Sequence, residues 1–312
     1  MELAGEASLT ARLALHPGRV SQTLAGSRWG ELIAPAPDEC APPIPGAMRV
    51  VLFASFAHGY LALDAVKAYA REFPGRIQVV GVATDDAANP DAKIGLKKRI
   101  WKYLDSAQQA AMEAALVGAT LSAGAPVFTG ELKTDGFRQV LREEWRPDAI
   151  LSCVLGQVIG PRILAMPDYG VYNFHPSDLL HGHGAGPAPD AGFEDRWART
   201  VWTIHQVSPE IDTGPVVAVS PDIAVHEASG ALPDNHLLIY DKLVEPVGIM
   251  AATLIHALWQ RHAQGRRGWL DALDVAPAIP PAMQARMLAP ITTRGHDDRL
   301  PQFDASLLAA LR

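Results

Sequence analysis

An asparagine and a histidine stand two residues apart at the end of one apolar run, Tyr172-Asn173-Phe174-His175-Pro176-Ser177. If that run is a strand, alternation puts Asn173 and His175 on the same face. Pro176 then ends the ladder and opens a loop. An amide beside an imidazole suits acyl transfer. The amide N–H donates to an oxyanion as it forms, roughly 3–4 kcal/mol in comparable sites, and the imidazole moves protons near neutral pH. A capping pair or a core polar pair at a strand end would show the same two residues. Further on, Glu210-Ile211-Asp212-Thr213-Gly214-Pro215 puts a carboxylate at a turn, although Asp-x-Gly turns are common for structural reasons alone.

The elements around these residues read as an α/β domain. Residues 48–54 form a nearly continuous apolar run, as expected of a strand covered on both faces. Residues 61–73 carry apolar residues at helical spacing, and 76–83 read as a second strand. Strand, helix and strand in this order imply a parallel βαβ unit with a right-handed crossover. The spacing predicts further helices over 94–123, 137–145 and 236–260. Further strands are predicted at 125–128, 148–155, 170–175, 200–207 and 216–225. The fold class is therefore a doubly wound, mostly parallel sheet, Rossmann-like, over residues 48–262. Ligands in such sheets bind beyond the carboxyl ends of the strands, which is where Asn173 and His175 stand. Residues 1–47, which end in Pro42-Pro43-Ile44-Pro45, read as an N-terminal extension with a proline-rich linker. Residues 263–312, broken by Pro277, Pro280, Pro281, Pro290 and Pro301, read as a C-terminal extension.

The 312 residues carry 27 Lys and Arg against 34 Asp and Glu, a formal net charge of −7, which argues against a general nucleic-acid binder. The two cysteines, Cys40 and Cys153, make neither a disulfide scaffold nor a Cys-rich zinc module, and a reducing, cytoplasmic compartment is expected. The first residues show no targeting pattern and no stretch reads as a transmembrane helix. No G-x-G-x-x-G occurs, so a nicotinamide or flavin has no fingerprint here.

Taken together, Asn-x-His-Pro-Ser and a later Asp-Thr-Gly, set in a βαβ domain, resemble the 10-formyltetrahydrofolate-dependent formyltransferase family. That family includes glycinamide ribonucleotide, methionyl-tRNA and sugar-amine formyltransferases and the formyltetrahydrofolate hydrolases. The likeness spans about residues 48–260. It includes Asp148-Ala149-Ile150 with Gly156, Ile159, Pro161 and Leu164, the strand Trp202-Thr203-Ile204-His205-Gln206-Val207, and Asp241-Lys242-Leu243. The resemblance implies that Asn173 polarises the formyl oxygen and stabilises the tetrahedral intermediate, that His175 assists proton transfer or stabilises the oxyanion as imidazolium, and that Asp212 orients His175 or a water and helps accept the amine's proton. It implies that Leu155, Gly156, Gln157, Val158 and Ile159, with Asp212, hold the folate co-substrate. It also implies that the turn of Ser55, His58 and Gly59, together with Ser177, His181, His183 and His205, faces the acceptor.

The chain departs from that family after Ser177, where Asp178-Leu179-Leu180-His181-Gly182-His183-Gly184 replaces the usual proline, basic and aromatic residues. This loop shapes the acceptor site in relatives. The histidines could suggest zinc, but on a glycine-rich loop they lack fixed geometry and no metal is expected. The proline-broken tail and the acidic charge make a tRNA acceptor unexpected. The expected function is formyl transfer from 10-formyltetrahydrofolate to a small-molecule amine, without nucleic-acid or membrane partners and with a homodimer as an open possibility. Hydrolysis of the formyl donor, or a non-catalytic folate- or coenzyme-A-binding module, remain the alternatives.

Overall fold

The computed structural model describes residues 20–27, 30–85, 103–181, 186, 190–191, 197–292 and 300–312. Nine strands form one sheet. In chain order they are β1 (Val20–Gln22), β2 (Leu32–Ala34), β3 (Met48–Ala54), β4 (Ile77–Ala83), β5 (Val127–Phe128), β6 (Ala149–Cys153), β7 (Val171–His175), β8 (Thr203–Gln206) and β9 (Val216–Val219). Their spatial order is β1-β2-β5-β4-β3-β6-β7-β8-β9. The stretch from β5 to β7 is parallel. The strands at both flanks pair antiparallel.

The middle strand β3 shows why an apolar run was expected there. Its residues are buried except Arg49, which is half-buried. Val50 and Leu52 face one core layer, with Leu63, Val66 and Leu254. Val51 and Phe53 face the other, with Phe128, Phe137 and Trp145. The first layer is covered by α1 (Phe56–Glu72), α2 (Ser106–Leu121) and the long α3 (His236–Ala263). The second lies under the helix Asp135–Val140 and the π-helical turn Leu141–Trp145 that continues it. The chain leaves β3 to build β4 and β5 on one side, then returns to build β6 and β7 on the other. The crevice where the order reverses lies beyond the carboxyl ends of β3, β6 and β7.

Three expectations change in detail. The run 216–225 is two strands, β9 and Ile223–Ala224, because Pro221 removes a ladder donor between them. The run 200–207 divides in the same way: Arg199–Thr200 pairs with Ile223–Ala224 in a small second sheet, while β8 belongs to the large one. The described part of the expected helix over 94–123 is α2; residues 94–102 lie outside the described residues.

The two extensions pack onto this body. β1 and β2 extend the sheet beyond β5. Met283 and Met287 of the helix Pro281–Leu288, and Leu308 and Leu311 of the last 3-10 turn, are buried in the first core layer. Among the described residues no helix is long and apolar enough to cross a membrane.

Candidate active site

The carboxyl end of β7 delivers Asn173 and His175 to one face, as the alternation requires, and both are half-buried. His175 is held at both ring nitrogens. Its Nδ1 lies 2.8 Å from Ser177 Oγ, and its Nε2 lies 3.3 Å from Asp212 Oδ2. Asp212 comes from the turn between β8 and β9, where its φ is +55°. Asp tolerates this conformation better than most residues. The second oxygen of the same carboxylate lies 3.5 Å from His205 Nε2. His205 stands on β8 directly opposite Asn173 in the antiparallel register, so the two clusters read from the sequence meet through a strand pairing.

Hydrogen-bond accounting fixes the amide. His205 Nδ1 lies 2.9 Å from the Gln206 carbonyl; a carbonyl only accepts, so Nδ1 carries a hydrogen. In the neutral ring Nε2 is then an acceptor, and Asn173 Nδ2, 3.2 Å away, donates to it. The second Asn173 N–H remains for another acceptor. Burial pushes the Asp212 carboxyl upward, but its surroundings, first the His175 imidazole hydrogen-bonded to it through Nε2, outweigh burial and hold the group well below the usual carboxylate range. Asp212 is therefore ionised throughout the physiological range.

These residues line a cavity of about 360 Å³. Leu155, Gly156, Gln157, Val158 and Ile159 form one wall; Val207, Glu210 and Ile211 form another; His58, Trp202 and Tyr240 lie at it too. Gln157 lines the cavity and also anchors the loop it stands on. Its Oε1 accepts from Leu132 N at 3.0 Å, and its Nε2 donates to Asp85 Oδ1 at 2.7 Å and to Gly130 O at 2.9 Å. Its polar atoms are committed to holding the loop. Asp85, wholly buried at the end of β4, also accepts from Gly156 N at 2.5 Å.

The acceptor-side residues divide. His58 and His205 line the cavity. Ser55 is buried, its hydroxyl accepting from Asp85 N and touching Thr84 Oγ1. Gly59 is buried against Ala54, which a Cβ would meet at 3.0 Å. Ser177 is buried behind His175. His181 is half exposed and bonded to the buried Asp178 at 2.8 Å, away from the cavity lining. His183 lies outside the described residues. Tyr240, Val154 and Asp85 were not singled out in the sequence, since nothing in their local spacing separates them from core residues, and Trp202 was named only as part of the strand that carries the resemblance. Val154 has φ +57° and Phe56, just after Ser55, has φ +71°. Each such conformation costs on the order of 1–3 kcal/mol and is found where surrounding structure imposes it; with Asp212, both stand at the edges of the crevice.

No protein-family profile matches the chain. Curated relatives do. The chain is 31% identical over 224 residues to the methionyl-tRNA formyltransferase of Roseiflexus sp. (strain RS-1), covering 70% of this chain and 61% of that protein. It is 31% identical over 190 residues to the methionyl-tRNA formyltransferase of Treponema pallidum (strain Nichols), covering 60% of this chain and 56% of that protein. The chain thus spans somewhat more than half the length of these relatives. Among solved structures it is similar to glycinamide ribonucleotide transformylase 1 from Geobacillus kaustophilus, with a TM-score of 0.47 and 20% identity, covering 68% of this chain and 99% of that one. On the sequence relatives, this chain belongs to the formyltransferase family.

Proposed function

We propose that the cavity transfers a formyl group from 10-formyltetrahydrofolate to the amine of a small molecule. One observation carries this reading: Asn173, His175 and Asp212 converge at the switch point of the sheet, with the carboxylate against the imidazole and an amide N–H left over. The co-substrate supplies the activated formyl group. The neutral amine forms the new C–N bond at the formyl carbon, the bond from that carbon to N10 breaks, and N10 takes up the proton the amine gives up.

Each residue has a part in that exchange. The free Asn173 N–H donates to the carbonyl oxygen as charge builds on it. Asp212 is too weak a base to keep a proton, because its carboxyl is held so far below the usual range. Its part is to stabilise His175 as an imidazolium, which carries the proton in transit. Ser177 fixes the ring from the other side. Neither cysteine is used; Cys153 is buried, which pushes its thiol above the range in which thiolate forms.

The test is turnover of 10-formyltetrahydrofolate with small amines, followed by release of tetrahydrofolate. Asn173→Ala and His175→Ala should each lower kcat by about 10²–10³-fold. Turnover that survives both changes would sink this assignment. Formate release at the same rate without any amine would turn the reading toward hydrolysis.

A further inference from the structure

The end of the cavity at His58 holds a polar atom that nothing satisfies. His58 is 1% exposed and stands in the first turn of α1. Its Nε2 lies 3.0 Å from the Tyr240 carbonyl, so Nε2 carries the hydrogen. Nδ1 is then an acceptor, and it is buried with no hydrogen-bond partner. Burial lowers the ring's pKa to about 4, which keeps it neutral at physiological pH. Aromatic rings surround it: Trp202 at 5.6 Å, Tyr240 at 6.1 Å and Phe56 at 6.4 Å between centroids. Native structures leave few buried polar atoms unpaired, and those at a cavity wall call for an explanation.

The charge of the lining adds a second constraint. Among the described residues that line the cavity there is no Lys or Arg, while Glu210 and Asp212 are both present. A phosphate entering this space meets two carboxylates and a neutral imidazole that offers only a lone pair. A hydroxyl or an amide N–H meets an acceptor with nothing else bound to it.

We propose that this inner end is a subsite for a hydrogen-bond donor of the acceptor molecule, a hydroxyl or amide N–H received by His58 Nδ1, and that the acceptor is a hydroxylated amine carrying no phosphate in this part. The inference rests on the formyl-transfer reading for what the bound molecule is, while the recognition itself stands on His58.

The experiment uses the full chain, labelled with ¹⁵N in its histidines, and a probe set of aminosugars, their phosphate esters and cyclohexylamine. His58→Phe identifies the His58 resonances by their loss. An aminosugar should move the His58 Nδ1 signal upfield, as a lone pair does on accepting a hydrogen bond, while cyclohexylamine and the phosphate esters leave it in place. With 10-formyltetrahydrofolate present, His58→Phe should raise the KM of the preferred aminosugar about tenfold, the worth of one hydrogen bond, with a smaller change in kcat. Transfer to a probe amine without any Nδ1 shift and with unchanged KM in His58→Phe would overturn the subsite and leave the transfer reading standing. A preference for the phosphate esters would overturn it too. An Nδ1 shift without transfer to any amine would do the opposite: the subsite would stand and the transfer reading would fall. No shift and no transfer would overturn both.

Discussion

Asn173 Nδ2 lies 3.2 Å from His205 Nε2, across a strand pair whose members are 32 positions apart in sequence. The amide that is to meet the formyl oxygen is therefore aimed by a histidine on the neighbouring strand. Replacing His205 by Phe keeps a ring of similar size and removes the acceptor. The amide is then free to turn its carbonyl inward. The expected result is a fall in kcat of about ten- to a hundredfold, below the cost of deleting an oxyanion donor outright, with the donor's KM nearly unchanged. Steady-state kinetics in both substrates checks this; an unchanged kcat would detach His205 from the orientation of Asn173.

Asp212 gives a pH signature. Its carboxyl is held below its ordinary value of 3.8 in the folded chain. Such a group contributes stability that is fully present above the unfolded value and is lost as pH falls through the folded one. The stability difference between the wild type and Asp212→Asn should therefore be flat above about pH 5 and shrink as pH falls below 4. Urea denaturation across this range measures it. A difference that grows towards low pH would contradict the assignment of His175 as its hydrogen-bond partner.

His58 shifts in the same direction for a different reason, because burial keeps its ring neutral while contacts keep Asp212 charged. Its folded pKa of about 4 lies below the ordinary 6.5. Between these values the unfolded chain binds a proton that the folded one refuses, so stability falls as pH falls from about 6.5 to 4. The largest loss from this residue is about 3 kcal/mol, at 1.36 kcal/mol for each pH unit of difference. His58→Phe should flatten that part of the stability profile. An identical slope in the variant would assign the acid sensitivity to other groups.

Asp85 does not itself line the cavity, yet it holds the wall that does. Asp85→Asn must turn an amide N–H against either Gly156 N or the Gln157 amide, both of which are donors. Leaving one buried donor unsatisfied costs about 1–3 kcal/mol. The expected result is a lower unfolding midpoint and a donor KM raised about tenfold, with kcat at saturating donor changed much less. A KM that does not move would show that the 155–159 wall keeps its place without Asp85.

Much of this was legible in the residues themselves. The apolar runs at 48–54 and 148–155 announced central strands, because a strand buried on both faces has no polar side to show. The Asn173-x-His175 spacing announced a shared face, because alternation is a property of any strand. The order Asn173, His175, Asp212 carried the family resemblance. What local spacing could not carry is set by contacts between distant segments. His205 was placed by the resemblance on the acceptor side, and its place opposite Asn173 appears only when β8 pairs with β7. Gln157 stands in the sequence as a cavity residue, and only the structure shows its amide holding Leu132, Gly130 and Asp85 as well. The unpartnered Nδ1 of His58 exists only because α3 brings the Tyr240 carbonyl to the other side of the ring, 182 positions away. Residue type and period fix which face a side chain takes. Which groups meet there, and which are left without a partner, depends on pairings closed across the whole chain.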